Sequence, residues 1–512
     1  MMKSYLFFIF FFIFFYLFSG DRWRLLHKIR LIIKNYFLEK DSPFNIAIFR
    51  IVLFFLVLVS LNKEEIIWFS QLPADLQFPP VGMGYFLSVV PITPDLAQQG
   101  IFLFVIFSFL AMVGCFARAS SLLAALCGIY VLGIPEFYGK VDHYNHLIWF
   151  MFILSVSRCA DVLSLDAAWK AWRESNQGRV ERNQDSVVYA LPLRFIWLLM
   201  GIIYFFPGFW KFFRAGWDWA FSDNLKYQLY AQWFEWGGWL PFFRLDQHPL
   251  LYKASAAATM IFELSFIFLI LFPALRFIAI ISGLVFHSMT KLLMNISFLD
   301  LQICYLAFVN WAGLFAKLGQ WAFKEPFQPS YEGRSKYYQR TMAVISKFDI
   351  LKRLNLPDQG MPLKESLLDQ RLIKCVGMSL LLINVFFGLR EIMEGWPFAC
   401  YPTFAGKMVE AKTQTILPFG VKDGVEERIN LDGLKQQMRL HRFTGMTRSI
   451  LSLPDEGQRK AKLRTLVVVM KKEGVDLTQY DKIRFYQAAY VTQPQRAHES
   501  PLLIKLLAEI GV

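Results

Sequence analysis

Residues 44–61 read "FNIAIFRIVLFFLVLVSL", and Arg50 is their one charged residue. A run of this length and composition is long enough for an α-helix to cross the hydrocarbon core of a bilayer. Further runs of the same kind follow at 98–116, 119–135, 144–163, 187–209, 255–274, 275–294, 296–317 and 372–390. The expectation is an all-α polytopic membrane bundle of about nine transmembrane helices. An N-terminal apolar helix precedes them. Residues 5–19, "YLFFIFFFIFFYLFS", are short for a span and are followed by the basic "RWRLLHKIRLIIK" at 22–34. The run reads as an anchor or an interfacial helix, since basic flanks resist export.

Composition agrees. The 512 residues are 55% hydrophobic and 18% charged, with 53 Phe and a mean hydropathy of +0.38. Soluble domains carry about 25% charged residues. The formal charge of +14 fits a membrane protein that gathers Lys and Arg in its cytoplasmic loops, so no nucleic-acid partner is expected. The six cysteines, at 115, 127, 159, 304, 375 and 400, form no CxxC pair. That argues against a disulfide framework or a structural zinc site.

Loop charges give an orientation. The segments 20–43, 164–186 and 318–371 are basic, as are the turns at Arg118 and Arg276. The loop 62–97 is acidic and 136–143 is near balance. These signs alternate as a bundle with its first loop inside requires. The segments 62–97, 136–143, 210–254 and 391–512 then share the outer side, which is the periplasm for a bacterial inner membrane or the lumen for an endomembrane. The tail has short alternating stretches, "AKTQTILPF" and "DKIRFYQAAYVT", and a helical "GQRKAKLRTLVVVMKKEG". It reads as a small α+β extramembrane domain. The expected divisions are 1–42 (apolar anchor and basic interfacial helix), 43–317 (transmembrane domain), 318–371 (basic cytoplasmic loop), 372–390 (last span) and 391–512 (extracytoplasmic domain).

This orientation brings several polar groups to one face. His143 and His146 open the fourth span, Lys211 closes the fifth, His287 lies in the outer half of the seventh, and Asp300 follows the next turn. Ionisable groups at membrane depth face a bundle interior and mark functional sites by default. Each also has a plainer reading. His143 and His146, three apart, share a helical face, but the chain supplies no clear third and fourth ligand, so no metal is expected. Lys211, in "YFFPGFWKFFRAGWDW" (204–219), is either a snorkelling cation or a base in a dry pocket. The aromatics around it, Trp210 and Trp217 among them, are either an interfacial belt or the wall of that pocket. Arg50 pairs with a buried carboxylate such as Glu263, or with a ligand. Burial disfavours a charged ammonium, and an amine neutral near pH 7 is a usable general base. Such a base needs an apolar, acidic substrate reachable from the membrane, and a quinol meets all three conditions.

These residues resemble a known family. "SPFNIAIFRIVLFF" (42–55) looks like the opening of the HTTM (horizontally transferred transmembrane) domain, shared with the vitamin K-dependent gamma-carboxylase. "NHLIWFMFILSVSRCADVLSLDA" (145–167) is similar to that family's Asn-His helix with its Ser-Leu-Asp element, here Ser164 to Asp166. The Lys211 segment and "LFPALRFIAIISGLVFHSM" (271–289) resemble two further elements, in family order. "WPFACYPTFAG" (396–406) looks like an element of bacterial members. In the carboxylase family the lysine deprotonates vitamin K hydroquinone and oxygen adds to the anion. The product alkoxide removes a proton from a glutamate side chain, the carbanion takes up carbon dioxide, and the quinone leaves as an epoxide. The resemblance implies that Lys211 is this base and that His146 positions or activates the quinol. It implies that His287 is a further residue of the quinol site, and His143, Trp210, Trp217 and Arg50, singled out above by position, are expected to line that site with it. Reduced vitamin K or another isoprenoid quinol would be the cofactor. Beside the bilayer, a protein or peptide on the outer face would be the partner. The alternative is a non-catalytic lipid- or quinone-binding membrane scaffold that acts through its C-terminal domain. No internal hydropathy repeat points to a transporter.

Overall fold

The structure is a computed structural model that describes residues 22–141, 145–175, 181–182, 184–323, 361–362, 367–399, 404–435, 438, 440–496 and 499–511. The apolar run 5–19 and most of the loop 318–371 lie outside the described residues.

Fifteen helices are used below. They are α1 (Arg22–Leu38), α2 (Pro43–Ser60), α3 (Pro94–Val113), α4 (Ala117–Val131), α5 (Asn145–Ser155), α6 (Leu165–Ser175), α7 (Val187–Ala215) and α8 (Asn224–Glu235). After these come α9 (Pro249–Leu269), α10 (Pro273–Met294), α11 (Leu299–Cys304), α12 (Trp311–Phe323), α13 (Leu367–Leu389), α14 (Leu440–Leu451) and α15 (Glu456–Lys472). Local chemistry sets several boundaries. Ser42, Thr93 and Ser186 cap α2, α3 and α7, each accepting a backbone N–H of the first turn, and Pro43 and Pro94 occupy first-turn positions where no N–H is needed. Among the described residues, seven helices are long and apolar enough to cross a membrane: α2, α3, α4 with its continuation to Phe137, α7, α9, α10 and α13. The protein is thus an integral membrane bundle in its length and composition.

One of the nine expected spans is shorter than a bilayer crossing, and another is a bent pair that makes an eighth span if its two helices are taken as one. The run 144–163 becomes α5, a helix of 11 residues. It stops because Ser155 and Ser157 turn their hydroxyls back on the carbonyls of Phe152 and Leu154 (2.7 and 2.9 Å), after which Arg158 pairs with Asp161 at 2.7 Å. The run 296–317 becomes two helices bent by 73°. At the break, the Asn310 side chain accepts the Gly313 amide (2.9 Å) and Asn45 accepts the Ala312 amide (3.0 Å), so side chains replace the helical bonds. The fifth and sixth spans also run longer than expected: α7 continues to Ala215 and α9 begins at Pro249.

The helix α7 is the axis of the bundle, with 89% of its apolar window buried against 22–56% for the other six spans. It packs on α9 and α13 and touches α1, α2 and α5. The lower burial of the others leaves apolar faces such as Phe102, Phe109, Phe277 and Leu382 exposed, as a lipid-facing ring requires.

The tail forms a four-stranded antiparallel sheet, order β2–β1–β3–β4, from β1 (Lys412–Lys422), β2 (Val425–Arg428), β3 (Lys482–Val491) and β4 (Leu502–Gly511). The strands β1 and β3 pair from Lys412↔Val491 to Val421↔Lys482. Leu463, Leu466 and Met470 of α15 and Ile450 of α14 pack in one core with Ile483, Phe485 and Ile510 of the sheet. The domain sits on the loops that the charge pattern puts beside it. Arg442 Nη1 donates to the carbonyls of Pro135 (2.7 Å) and Lys140 (3.0 Å), and its guanidinium lies 5.2 Å from the Phe69 ring. Phe234 of α8 meets Tyr490 at 4.8 Å. Gly139 and Gly445 touch there: a Cβ on Gly445 would come 2.2 Å from the Gly139 carbonyl oxygen, so neither position admits a side chain.

Candidate functional site

Three residues of α7, Tyr204, Gly208 and Lys211, follow one another on a single helical face at spacings of four and three. Gly208 sets the distance to the neighbouring span. A Cβ there would lie 2.7 Å from Cβ of Glu263, so the glycine lets α9 approach α7 closely enough to bring Glu263 opposite Lys211. Pro207 has no N–H to donate to the preceding turn.

Lys211 is 2% exposed and Glu263 4%. Lys211 Nζ donates to Oε1 (2.5 Å) and Oε2 (2.7 Å) of Glu263, and lies 5.1 Å from the centroid of the Trp219 ring. The ammonium therefore has a carboxylate on one side and a π-face on the other. Trp219 is itself fixed by its indole N–H, which donates to the Phe404 carbonyl at 2.9 Å.

One heptad before Lys211, the Tyr204 hydroxyl lies 2.6 Å from Nε2 of His287 on α10 and accepts the Tyr305 hydroxyl at 2.9 Å. Which of Tyr204 and His287 donates follows from the tautomer of the imidazole. Nδ1 is buried, with no hydrogen-bond partner among the described residues. The Tyr204 ring packs on Phe262 (5.1 Å) and Phe266 (4.8 Å), the neighbours of Glu263 on α9. The acid–base pair and the tyrosine–histidine relay thus share the α7–α9 seam.

The remaining sequence candidates separate. His143 lies outside the described residues. His146 is buried at the start of α5, edge-on to Phe150 at 5.8 Å. Arg50 does not pair with Glu263, which Lys211 holds. Its Nη1 and Nη2 donate to the carbonyls of Cys159 (2.9 Å) and Leu163 (2.5 Å), tying down the turn that follows α5. Trp210 donates to the Gly388 carbonyl of α13 at 2.9 Å. Trp217 is 46% exposed, beside Phe212 and Phe221. Asp300 accepts the Ser60 hydroxyl at 2.6 Å. Tyr204 and Tyr305 were not singled out in the sequence. Tyr204 carried a signal, its one-heptad spacing from Lys211, and Tyr305 carried none. Among the described residues, no three His, Cys, Asp or Glu stand together as a metal set.

An open surface depression lies one turn beyond Lys211, lined by Arg214, Gln228, Glu391, Met393 and residues 404–408, and Lys211 and Glu263 are not part of its wall. Its walls are held by the ion pairs Arg214–Glu391 and Lys407–Asp218. Phe404 connects it to the site, since its carbonyl fixes the indole that covers Lys211. Chemically, the arrangement can move a proton within a pair that excludes water.

A family model described as the HTTM domain matches residues 39–310, more than half of the chain. No curated protein and no solved structure matches it.

Proposed function

Because the chain belongs to the HTTM-domain family, we propose that it is an integral membrane enzyme that takes a proton from a lipid-soluble quinol. The observation that carries this reading is the buried pair Lys211–Glu263, located in the segment that resembles the carboxylase's basic lysine. Transfer of one proton from Nζ to the Glu263 carboxylate converts the ion pair into a neutral amine and a neutral acid. The amine then accepts the quinol hydroxyl proton, leaving a quinol anion beside an ammonium. The centre keeps zero net charge throughout, which a low-dielectric site favours. His287, polarised by Tyr204 and Tyr305, offers its Nδ1–H to the second quinol oxygen. Oxygen addition to the anion, epoxide formation and coupled carboxylation of a peptide on the outer face extend the proposal along the family's reaction. The outer face is the periplasmic side of a bacterial inner membrane, or the lumen.

The test is turnover of vitamin K hydroquinone in oxygen, read as epoxide by mass spectrometry, in protein reconstituted into lipid nanodiscs. Lys211→Arg keeps a cation opposite Glu263 but removes a group that can lose its proton. The expected loss is at least about 100-fold in rate with the thermal midpoint retained. Wild-type turnover in that variant ends the assignment of the base. A second reading has one observation in its favour: Glu263 neutralises Lys211 fully, as a clasp between two spans would. A non-catalytic quinone- or lipid-binding scaffold predicts binding without epoxide in the wild-type protein.

A further inference from the structure

At the end of the bundle opposite the sheet, two arginines share one carboxylate. Arg194 of α7 is 2% exposed, and its Nη2 lies 2.8 Å from Oε2 of Glu39. Arg276, in the first turn of α10, donates to the same carboxylate at 3.1 and 2.8 Å. Both guanidinium groups lie over Trp197, at 4.0 and 4.9 Å from its ring centre, and near Tyr36, at 5.5 and 5.8 Å. The Nε and Nη1 atoms of Arg194 are buried and have no hydrogen-bond partner among the described residues. Asp41 is the other carboxylate near Arg194, and it is engaged by the Ser42 amide (2.8 Å) and Asn45 (2.5 Å).

A buried guanidinium with unfilled donors calls for an acceptor. Glu39 is a poor permanent one. It lies just past the end of α1, is 37% exposed, and meets Nη2 of Arg194 and both Nη atoms of Arg276 while Nε and Nη1 of Arg194 stay unfilled; Nε of Arg276 donates to the Ile270 carbonyl at 3.0 Å. Lys40 and Lys34 stand exposed beside it and raise the local positive charge. A phosphate group has the oxygens and the charge for paired guanidinium forks. Glu39 follows the end of α1, Arg276 is in the first turn of α10 and Arg194 is two turns into α7, on the side where the basic loops gather, and basic pockets between spans on that side take anionic lipids.

We propose that Arg194 and Arg276, floored by Trp197 and Tyr36, form a binding site for a phosphate-bearing anion, with Glu39 as its displaceable internal occupant. The phosphate comes either from an anionic phospholipid headgroup in the adjacent leaflet or from solution. The site is separate from Lys211 and independent of the quinol reading.

The test uses the full chain in neutral detergent. Dioleoylphosphatidylglycerol, dioleoylphosphatidylcholine and inorganic phosphate are titrated separately. Thermal midpoint and native mass spectrometry are the readouts. The wild type is expected to retain phosphatidylglycerol in preference to phosphatidylcholine. Arg276→Gln is expected to weaken this about tenfold, and Glu39→Gln to strengthen it. A response to inorganic phosphate equal to that of the lipid assigns the phosphate to solution and keeps the site. No lipid preference together with no phosphate response overturns the proposal. So does unchanged binding in a folded Arg276→Gln. Should that variant fail to fold, Glu39→Gln decides alone: unchanged or weaker binding overturns the site.

Discussion

Lys211 is tolerated in the middle of an aromatic shell because Glu263 meets it with both oxygens. Removing one partner of such a pair leaves the other charged and dry, which costs more than the pair contributes. Lys211→Ala is therefore expected to lower stability by about 3–5 kcal/mol, whereas the double variant Lys211→Met, Glu263→Leu is expected to stay close to wild type. Thermal unfolding in detergent distinguishes the two, and equal losses in both would show that the cost is not electrostatic. The lysine was legible in the sequence as a lone cation in an aromatic run. Its partner was not. The sequence offers Glu263 in an apolar helix and Arg50 in another, with nothing to say which spans touch. The structure assigns Arg50 to the carbonyls of the turn after α5. Tyr305 was invisible for the same reason: nothing in the sequence says that its turn meets Tyr204.

The contact between α7 and α9 depends on the absence of a side chain at Gly208. Lipid tails are as apolar as the helices, so close backbone approach supplies the association that the hydrophobic effect supplies in water. Gly208→Leu is expected to force α9 outward, separate Glu263 from Lys211 and cost about 1–3 kcal/mol. The check is the thermal midpoint, together with disulfide trapping of a cysteine pair placed across the seam. Unchanged trapping would show that the seam tolerates bulk. Most spans were legible, since an apolar run of sufficient length has few alternatives. The failures share a cause. Ser155 and Ser157 bond back to carbonyls where α5 ends, and Asn310 accepts an amide of the first turn of α12, so each interrupts a run that hydropathy reads as continuous.

Across the whole molecule, the charge pattern of the loops assigned several segments to one side without saying which of them meet. The loops 62–97, 136–143 and 210–254 and the tail were placed on one side, and Phe69, Pro135, Phe234, Arg442 and Tyr490 are in contact there. The strand alternation in 411–419 and 481–492 foresaw β1 and β3. The docking itself was not legible, because nothing in the sequence pairs Arg442 with Pro135, Phe234 with Tyr490 or Gly139 with Gly445. Arg442→Ala removes two charge-assisted bonds and is expected to loosen the sheet domain by about 3 kcal/mol. Hydrogen exchange in residues 133–141 checks this, and protection equal to wild type would show that the interface does not need Arg442. The same contact orders events in time. Arg442 lies 307 residues after the Pro135 carbonyl it binds. At about 5–20 residues per second, that loop waits about 15–60 s on the ribosome's schedule before its cover is made. For that interval the nascent bundle shows an unfinished face to every protease and chaperone on its side of the membrane.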